Sequence, residues 1–273
     1  MSFRKLLWAL LIPLIILTVL NVASHLYYTG KIAKLEAENQ ALKSELIKLK
    51  ELAEKELVLV KVKYTVTTLS PGVIKLPEPA KYGNMTVEEA IWKRRSIRDY
   101  TKQPLTIFEL SQLLFAAQGI TDPVRKFRAA PSAGATYPFE VYVVVGKNGV
   151  KGLEAGVYHY DPYTHTIKLL FKGDVRKSLA VAALGQPWVA NAPIDIVLAA
   201  VYERTTKVYG ERGVRYVHME AGHIGENIYL EATALGLGTV VVGAFYDDQV
   251  KKILKLPEDQ RPLYIIPVGH PKR

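Results

Sequence analysis

Strand-like and helix-like hydrophobic patterns alternate from residue 86 to residue 273, and this alternation constrains the fold more than any other feature. Two Thr-x-x-Glu patterns, at Thr86 and Thr106, have the form of capping boxes and predict that helices begin there. Stretches rich in Val, Ile and Tyr predict strands over 140–145, 157–160, 166–171, 194–201, 239–242 and 263–268. Further helices are predicted over 214–235 and 247–254. We therefore expect one globular domain of helices and strands over 86–273.

The composition leaves room for one full-sized domain with appendages, and it excludes several kinds of site. The chain has 273 residues, of which 49% are hydrophobic, and it has no cysteine. Disulfides, thiolate metal sites and cysteine nucleophiles are therefore excluded. His218 and His223 would fall on different faces of a helix with no third ligand evident, so we expect no metal site.

The formal net charge of +10 is compatible with several kinds of partner. A surface rich in Lys and Glu, an anionic membrane, nucleic acid and a phosphorylated ligand would each suit it. The sequence contains no long block of Lys or Arg and no nucleic-acid-binding motif. We therefore expect no nucleic-acid partner.

Residues 6–28 are nearly continuous in apolar character and predict a membrane-spanning helix. The run is long enough to cross a hydrocarbon core of roughly 30 Å. Basic and aromatic residues typical of membrane interfaces stand at its ends, at Arg4, Lys5, Trp8, Tyr27 and Tyr28. A cleaved signal peptide, with 22–24 as its cleavage site, is the alternative. We expect residues 1–30 to form an uncleaved anchor, which makes the protein a single-pass membrane protein.

A heptad repeat over residues 31–56 predicts a parallel, dimeric coiled coil. The two core positions are occupied by Ile32, Asn39, Leu46 and Ala53, and by Leu35, Leu42, Leu49 and Glu56. A lone Asn at the first core position favours two parallel strands in register. Three charge pairs have the offset found between parallel helices, namely Lys31 with Glu36, Glu38 with Lys43, and Glu45 with Lys50. A single exposed helix is the alternative.

Residues 57–85 change character and are predicted to be a linker. The segment 57–68 alternates weakly and is compatible with an edge strand. Prolines and glycines then follow at Pro71, Gly72, Pro77, Pro79 and Gly83.

Three short segments have compositions that suit ligand binding. Residues 94–98 read Arg-Arg-Ser-Ile-Arg, and arginine offers paired donors that match phosphate oxygens, although a solvated basic turn would read the same. Residues 131–138 place small side chains between two prolines, where a planar ligand could approach the backbone, although an ordinary surface loop is the simpler interpretation. The glycines of 236–238 and 243–245 are not a dinucleotide-binding loop, because their spacing is wrong and a strand follows the helix.

Taken together and in this order, the three segments resemble the nitroreductase family over residues 86–273. The resemblance implies an α+β fold in which a mixed, largely antiparallel sheet is flanked by helices. It also implies a domain-exchanged homodimer with non-covalent FMN sites built from both chains. The implied FMN-binding residues are Arg94, Arg95, Ser96 and Arg98 at the phosphate and ribityl chain, Ser132, Ala133 and Gly134 beside the flavin ring, Val242 and Gly243 near the flavin N5 edge, and Lys272 or Arg273 at the phosphate.

Further segments resemble the SagB-type branch of that family, which includes azoline oxidases. They are residues 156–162, residues 209–213, and residues 220–223 followed by Asn227. Glu220, His223 and Asn227 would share one helix face, where His223 could equally be a structural hydrogen-bonding residue. Azoline oxidases of this branch carry a Lys-Tyr pair before the Gly-Glu-Arg segment. Here Val208 precedes Tyr209 and Lys207 stands one place early, which puts azoline oxidation in doubt.

The resemblance implies an FMN-dependent oxidoreductase that takes a hydride from NAD(P)H and passes it to an electron-poor small molecule. Quinones and nitroaromatics are the expected substrate types, and the order is ping-pong. Tyr209 is the expected proton donor or acceptor, with Lys207 as the second catalytic candidate. A peptide-modifying dehydrogenase of the SagB type and a non-catalytic, membrane-bound flavin-binding scaffold are the alternatives. The catalytic domain is expected on the cytoplasmic side, where FMN and NAD(P)H are found.

Overall fold

The computed structural model describes residues 3–63 and 66–272, and the side chains of residues 16–51 and 66–272. The chain divides into two compact units, Met1–Lys63 and Tyr64–Arg273. The helices are α1 (Phe3–Lys63), α2 (Val87–Lys93), α3 (Ile107–Gln118), α4 (Arg176–Ala182), α5 (Pro187–Asn191), α6 (Glu203–Tyr209), α7 (Arg212–Ala234) and α8 (Asp247–Leu254). The strands are β1 (Thr67–Ser70), β2 (Val73–Lys75), β3 (Ile120–Asp122), β4 (Phe127–Arg128), β5 (Phe139–Val145), β6 (Gly156–Asp161), β7 (Thr166–Lys172), β8 (Ile194–Ala200), β9 (Gly238–Thr239) and β10 (Arg261–Gly269).

The first unit is the single helix α1, and it does not bear out the predicted membrane anchor. Within the residues that the structure describes, no helix is both long and apolar enough to cross a membrane. The predicted anchor over 6–28 and the single-pass membrane localisation are therefore wrong. Asn21, Ser24 and His25 interrupt the described part of the apolar run, and charged residues follow from Lys31. The side chains of the earlier part of the predicted span lie outside the described residues.

The heptad segment 31–56 lies entirely within α1, so its helical conformation agrees with the sequence. The described apolar core positions, from Ile32 to Leu49, are each more than half exposed in the single chain. The side chains of Ala53 and Glu56 lie outside the described residues. Pairing of two copies in a parallel coiled coil is not tested by one chain and stays a prediction.

About half of the segment predicted as a linker, 57–85, is helix or strand, and residues 76–85 are irregular. Its first residues continue α1 to Lys63, and β1 and β2 then add two strands to one edge of the sheet. Strand β2 pairs antiparallel to β7, with Ile74 opposite Ile167. Gly72 adopts a φ of 77° in the turn between β1 and β2, a conformation that glycine adopts readily. Strands β1 and β2 are too short to show the alternation of apolar and polar residues that predicts a strand. The turn glycine and the prolines beyond β2 are typical of a linker, which is why the sequence predicts one.

An eight-stranded sheet forms the centre of the second unit, in the order β1-β2-β7-β6-β5-β8-β10-β9. All pairings between these strands are antiparallel, and parallel contacts occur only as isolated bridges such as Ser96 with Thr239. One face packs against α3 and α7, and the other against α4, α5 and α8. Because both faces are covered, the central strands β5 and β8 are almost continuously apolar. The second unit is an α+β domain, as the sequence predicts.

The two predicted capping boxes differ in the structure. Thr106 begins α3 with a complete box, in which its side chain and that of Glu109 satisfy each other's backbone N–H groups. Thr86 begins α2 and accepts from the backbone N–H of Glu89 at 3.2 Å. The Glu89 carboxylate pairs instead with Lys93, one turn further along the helix. Both predicted helix starts are confirmed, because one side of the box is enough to cap the first turn.

Candidate functional site

The basic segment after α2 is held in an extended conformation beside the end of the sheet. The backbone N–H of Ile97 donates to the carbonyl of Thr239 at 2.9 Å. The hydroxyl groups of Ser96 and Tyr229 lie 2.9 Å apart, and the Tyr229 hydroxyl also accepts from the backbone N–H of Val241 at 3.0 Å. The Arg94 guanidinium lies 5.0 Å from the centre of the Tyr229 ring. Tyr229 of α7 thus joins the basic segment to the chain between β9 and Gly243.

Other predicted phosphate residues gather at the same end of the sheet. The Arg98 guanidinium lies 5.3 Å from the centre of the Trp188 ring. The backbone N–H of Lys272 donates to the carbonyl of Asp99 at 2.9 Å, which brings the C-terminal segment alongside. Within the described residues, Arg98 forms no ion pair with a carboxylate, and neither does Arg94. Arg273 lies outside the described residues. These cations are available for an anionic ligand.

Val242 and Gly243 lie where the chain leaves the sheet after β9. Val242 is buried and exchanges two backbone hydrogen bonds with Ile265, at 2.8 and 3.0 Å. A Cβ added to Gly243 would lie 3.6 Å from the ring of Tyr264, which is ordinary contact. We call Arg94, Ser96, Arg98, Val242, Gly243 and Lys272 the basic cluster.

Arg95 does not join the basic cluster in this conformation. Its guanidinium turns back and donates to the carbonyls of Trp92 at 3.0 Å and Arg94 at 2.6 Å. It therefore caps the C-terminal end of α2, where cations are favoured by the helix dipole.

The small-residue loop forms a second group, which we call the loop cluster and define as Ser132, Ala133, Gly134 and Tyr209. The Ser132 hydroxyl accepts from the backbone N–H of Tyr137 at 2.9 Å and closes the loop. Gly134 has a φ of 59°, and a Cβ there would lie 2.6 Å from the Tyr209 hydroxyl. The loop therefore needs glycine at 134, both for its backbone conformation and for the close approach of Tyr209.

The two catalytic candidates are placed differently with respect to this loop. Tyr209 ends α6, touches Gly134 and packs edge-on against Tyr216, with ring centres 5.1 Å apart. Lys207 is exposed and stands two residues earlier on the same helix. Residues two apart on a helix do not face the same side, so the structure brings Tyr209 to the loop and not Lys207.

Glu220, His223 and Asn227 do share one face of α7, as the sequence predicts, and this face lies against the loop and α3. The His223 ring nitrogen lies 3.4 Å from the carbonyl of Pro131, and Asn227 donates to the carbonyl of Ala116 at 3.0 Å. Glu220 is only 3% exposed. Burial raises the pKa of its carboxyl to about 7, against an opposing effect of the nearby Ser132 and Gln118 side chains. A carboxyl that holds its proton near neutral pH therefore lies behind the loop cluster.

The two clusters lie at different positions along α7. The basic cluster contacts α7 at Tyr229. The loop cluster contacts α7 at Glu220, through Ser132, and the preceding residue Pro131 contacts His223. Six residues separate His223 from Tyr229, which corresponds to roughly 9 Å along a helix axis. The sequence did not single out Tyr229 or Trp188, because an aromatic residue in a helix carries no sign of whether it faces a ligand. Glu220 left a weak signal, as a carboxylate on a face rich in apolar residues.

The composition of these clusters fits a phosphorylated, planar cofactor. The basic cluster offers guanidinium groups without carboxylate partners, which suit a phosphate group. The loop cluster presents a backbone with no side chain at Gly134, which suits the close approach of a flat ring system.

The family model of the nitroreductase family matches residues 91–270 of the chain. The chain therefore belongs to the nitroreductase family, and its α+β fold is the one that this family predicts.

Several relatives and one solved structure extend the comparison. The Methanocaldococcus jannaschii protein MJ1384, provisionally described as a nitroreductase, is 53% identical over 72% of this chain and 95% of its own length. The Escherichia coli microcin B17-processing protein McbC is 31% identical over 59% of each chain. An FMN reductase (NADPH) of Bacillus subtilis is 24% identical over 69% of this chain and 66% of its own. The crystal structure of a Ralstonia eutropha protein, provisionally described as a nitroreductase, matches with a TM-score of 0.66 and 32% identity over 76% of this chain and 93% of that chain.

Proposed function

We propose that the protein is an FMN-dependent oxidoreductase that uses NAD(P)H to reduce an electron-poor small molecule of the quinone or nitroaromatic type. The single observation that carries the proposal is the pairing of two features on one helix. Arg94, which forms no ion pair within the described residues, lies over Tyr229 at one position along α7, and the glycine loop that touches Tyr209 lies against an earlier turn of the same helix. Members of the nitroreductase family are generally oxidoreductases that use FMN, and this chain belongs to that family.

The basic cluster would bind the phosphate and ribityl end of FMN. Arg94, Arg98 and Lys272 supply positive charge, and the Ser96 hydroxyl supplies a hydrogen bond. Arg94 lies over the Tyr229 ring and Arg98 over the Trp188 ring, and stacking limits their movement before a ligand arrives. Arg95 would contribute only if it left the carbonyls that it now caps.

The loop cluster would lie beside the flavin ring, and the backbone near Gly243 would lie at its N5 edge. Because the two clusters lie apart along α7, we propose that each FMN site combines the basic cluster of one chain with the loop cluster of a second chain. The exposed face of α2 supports a homodimer. Its apolar residues Val87, Ile91 and Trp92 are 65%, 57% and 81% exposed, which is unfavourable unless a second copy covers them.

FMN, when bound, supplies hydride transfer between NAD(P)H and the second substrate. The protein's own contribution is position, charge and protons. Tyr209 is the proposed proton donor or acceptor, because its hydroxyl already lies against the loop that would flank the ring. Lys207 is the weaker candidate, since it lies on another side of α6.

A dehydrogenase of the SagB type, acting on a modified peptide, is the second candidate. It is favoured by the 31% identity to McbC, a microcin-processing protein. The displacement of Lys207 by one position weighs against it, because Val208 stands directly before Tyr209 where azoline oxidases of this branch carry the lysine.

The visible absorption spectrum of the full chain, purified without added flavin and then incubated with FMN, tests the proposal. We expect the absorption bands of oxidised flavin, with one FMN per chain after gel filtration. A colourless protein that retains no FMN would contradict the proposal and leave a scaffold on this fold.

A further inference from the structure

A cavity of about 380 Å³ lies beside the loop cluster, between β4, β5, β6 and the start of α6. None of the proposed FMN-binding residues lines it. Its polar lining is formed by Arg128, Tyr137, Glu140, His159, Tyr163 and Arg204, and we call it the Arg128 pocket. Its volume is in the range of pockets that bind small molecules.

The acidic groups of the Arg128 pocket are already occupied by partners. The Glu140 carboxylate accepts from His159 Nε2 at 2.6 Å and pairs with the Arg204 guanidinium. The Asp161 carboxylate accepts from the backbone N–H of Tyr163 at 2.9 Å and from the hydroxyl of Thr164 at 2.7 Å. Neither carboxylate forms an ion pair with Arg128.

Arg128 lies between two aromatic rings without a carboxylate partner. Its guanidinium carbon is 4.6 Å from the centre of the Tyr137 ring and 5.5 Å from that of Tyr163. One nitrogen donates to Gln118 Oε1 at 2.7 Å, while Nε is buried and finds no partner among the described residues. Across the described part of the chain, Arg128 takes part in no ion pair. The buried Glu220 carboxyl lies near enough to be influenced by Arg128 but forms no ion pair with it. A half-buried guanidinium without an ion-pair partner is unfavourable, and an anion in the pocket would offset this.

The tyrosines of the pocket add donors and flat walls. The Tyr137 hydroxyl accepts from the backbone N–H of Arg128 at 3.2 Å, which leaves its own hydrogen free to donate. The Tyr163 hydroxyl accepts from an Arg128 nitrogen at 3.5 Å, so its own hydrogen is also free to donate. Phe139 and Tyr160 complete an aromatic lining. The pocket therefore combines one guanidinium without an ion-pair partner, two phenol donors and aromatic walls.

We propose that the Arg128 pocket is a second ligand site, separate from the proposed FMN site, which binds a small aromatic monocarboxylate. The carboxylate pairs with the Arg128 guanidinium and accepts from the Tyr137 and Tyr163 hydroxyls. The ring of the ligand lies against the aromatic walls. Arginine is the side chain best suited to this partner, since its planar donors match a carboxylate.

Calorimetric titration of benzoate into the full chain, in saturating FMN, tests the proposal. We expect one benzoate per chain and at least a tenfold loss of affinity in Arg128→Gln, because the charged partner is removed. Arg125→Gln is the matched control: Arg125 lies on the same hairpin but is exposed and outside the pocket, so its affinity should equal that of the wild type. Benzamide, which has the same shape without the charge, should bind at least tenfold more weakly than benzoate.

Two results would overturn the proposal. One is the absence of benzoate binding to the wild type, and the other is equal benzoate affinity in the wild type and in Arg128→Gln. If Arg128→Gln does not fold, as judged by circular dichroism, Tyr163→Phe replaces it. That variant removes one donor from an exposed side chain, and benzoate affinity should fall in it while benzamide affinity does not.

Discussion

The hydroxyl of Tyr209 lies only 2.6 Å from the point that a Cβ on Gly134 would occupy. This contact joins the end of α6 to the small-residue loop, in a chain where the two are 75 residues apart. It explains why a residue without a side chain stands at 134, where the backbone is also left-handed with a φ of 59°. The proposed proton donor is thus positioned by the loop that would flank the flavin.

Gly134→Ala should lower the free energy of unfolding by about 2 kcal/mol, because it adds both backbone strain and a clash with Tyr209. Adding Tyr209→Phe should recover part of the loss, since it removes the atom nearest to the new Cβ. Gly222→Ala on α7 is the control, because a Cβ there meets nothing within 4 Å. Urea unfolding measures all four proteins. Equal stability of Gly134→Ala and Gly222→Ala would contradict the contact.

Glu220 should make stability depend on pH. Burial raises the pKa of its carboxyl to about 7 from 4.5, so the folded state holds a proton that the unfolded state releases. The resulting stabilisation is fully present below pH 4.5 and is lost as the pH rises through 7. The Gln side chain of Glu220→Gln stays neutral at every pH. Between pH 5 and pH 8, the free energy of unfolding of the wild type should therefore fall by about 2–3 kcal/mol relative to that of Glu220→Gln.

Urea unfolding of the wild type, Glu220→Gln and Glu226→Gln at both pH values checks this expectation. Glu226 lies on the same helix but is exposed, so its variant should follow the wild type. If the free energies of unfolding of the wild type and of Glu220→Gln change equally between the two pH values, Glu220 does not have a raised pKa and the prediction is wrong.

The basic cluster should determine the affinity for FMN. Arg94→Ala and Arg98→Ala should each weaken FMN binding by about tenfold, since each removes a cation from the phosphate site. Arg95→Ala should change the affinity little, because that guanidinium caps α2. Quenching of flavin fluorescence gives the dissociation constants. A loss in Arg95→Ala as large as in the other two variants would show that Arg95 turns to the ligand.

Tyr229→Phe should lower the free energy of unfolding by about 1–2 kcal/mol, because the backbone N–H of Val241 and the Ser96 hydroxyl lose their partner. It should also weaken FMN binding, because the Ser96 and Arg94 side chains are held by that tyrosine. Tyr216→Phe on the same helix is the control, with a ring that packs against Tyr209. Thermal unfolding and FMN titration measure both effects, and no difference between the two variants would argue against the role of Tyr229.

Much of the second unit could be predicted from local patterns. Strands β5, β6, β7, β8 and β10 fall within two residues of their predicted bounds, because each is at least six residues long and contains β-branched or aromatic residues that favour strands. Helix α5 has only five residues, too few to show a helical period, and α6 begins without a capping side chain, so neither was predicted. The membrane anchor was inferred from apolar length and from the basic and aromatic residues at its ends. No helix in the described part of the chain is long and apolar enough to cross a membrane.

The site could be predicted only as a set of segments. The basic segment and the glycine loop are visible in the sequence because unusual residue types are concentrated there. Which arginine turns away, and which tyrosine supports the others, depends on packing that no pattern encodes. Arg95 is one example, because two backbone carbonyls at the end of α2 hold its guanidinium. Tyr229 is the other, because its hydroxyl is held by Ser96 and by the backbone N–H of Val241.

Anaerobic addition of NADPH, and separately of NADH, to the FMN-loaded full chain tests the central claim most directly. We predict that the visible bands of oxidised flavin bleach with at least one nicotinamide and return when a quinone is added. Flavin that stays oxidised with both nicotinamides would contradict an NAD(P)H-linked reductase and favour a dehydrogenase that draws electrons from its own substrate.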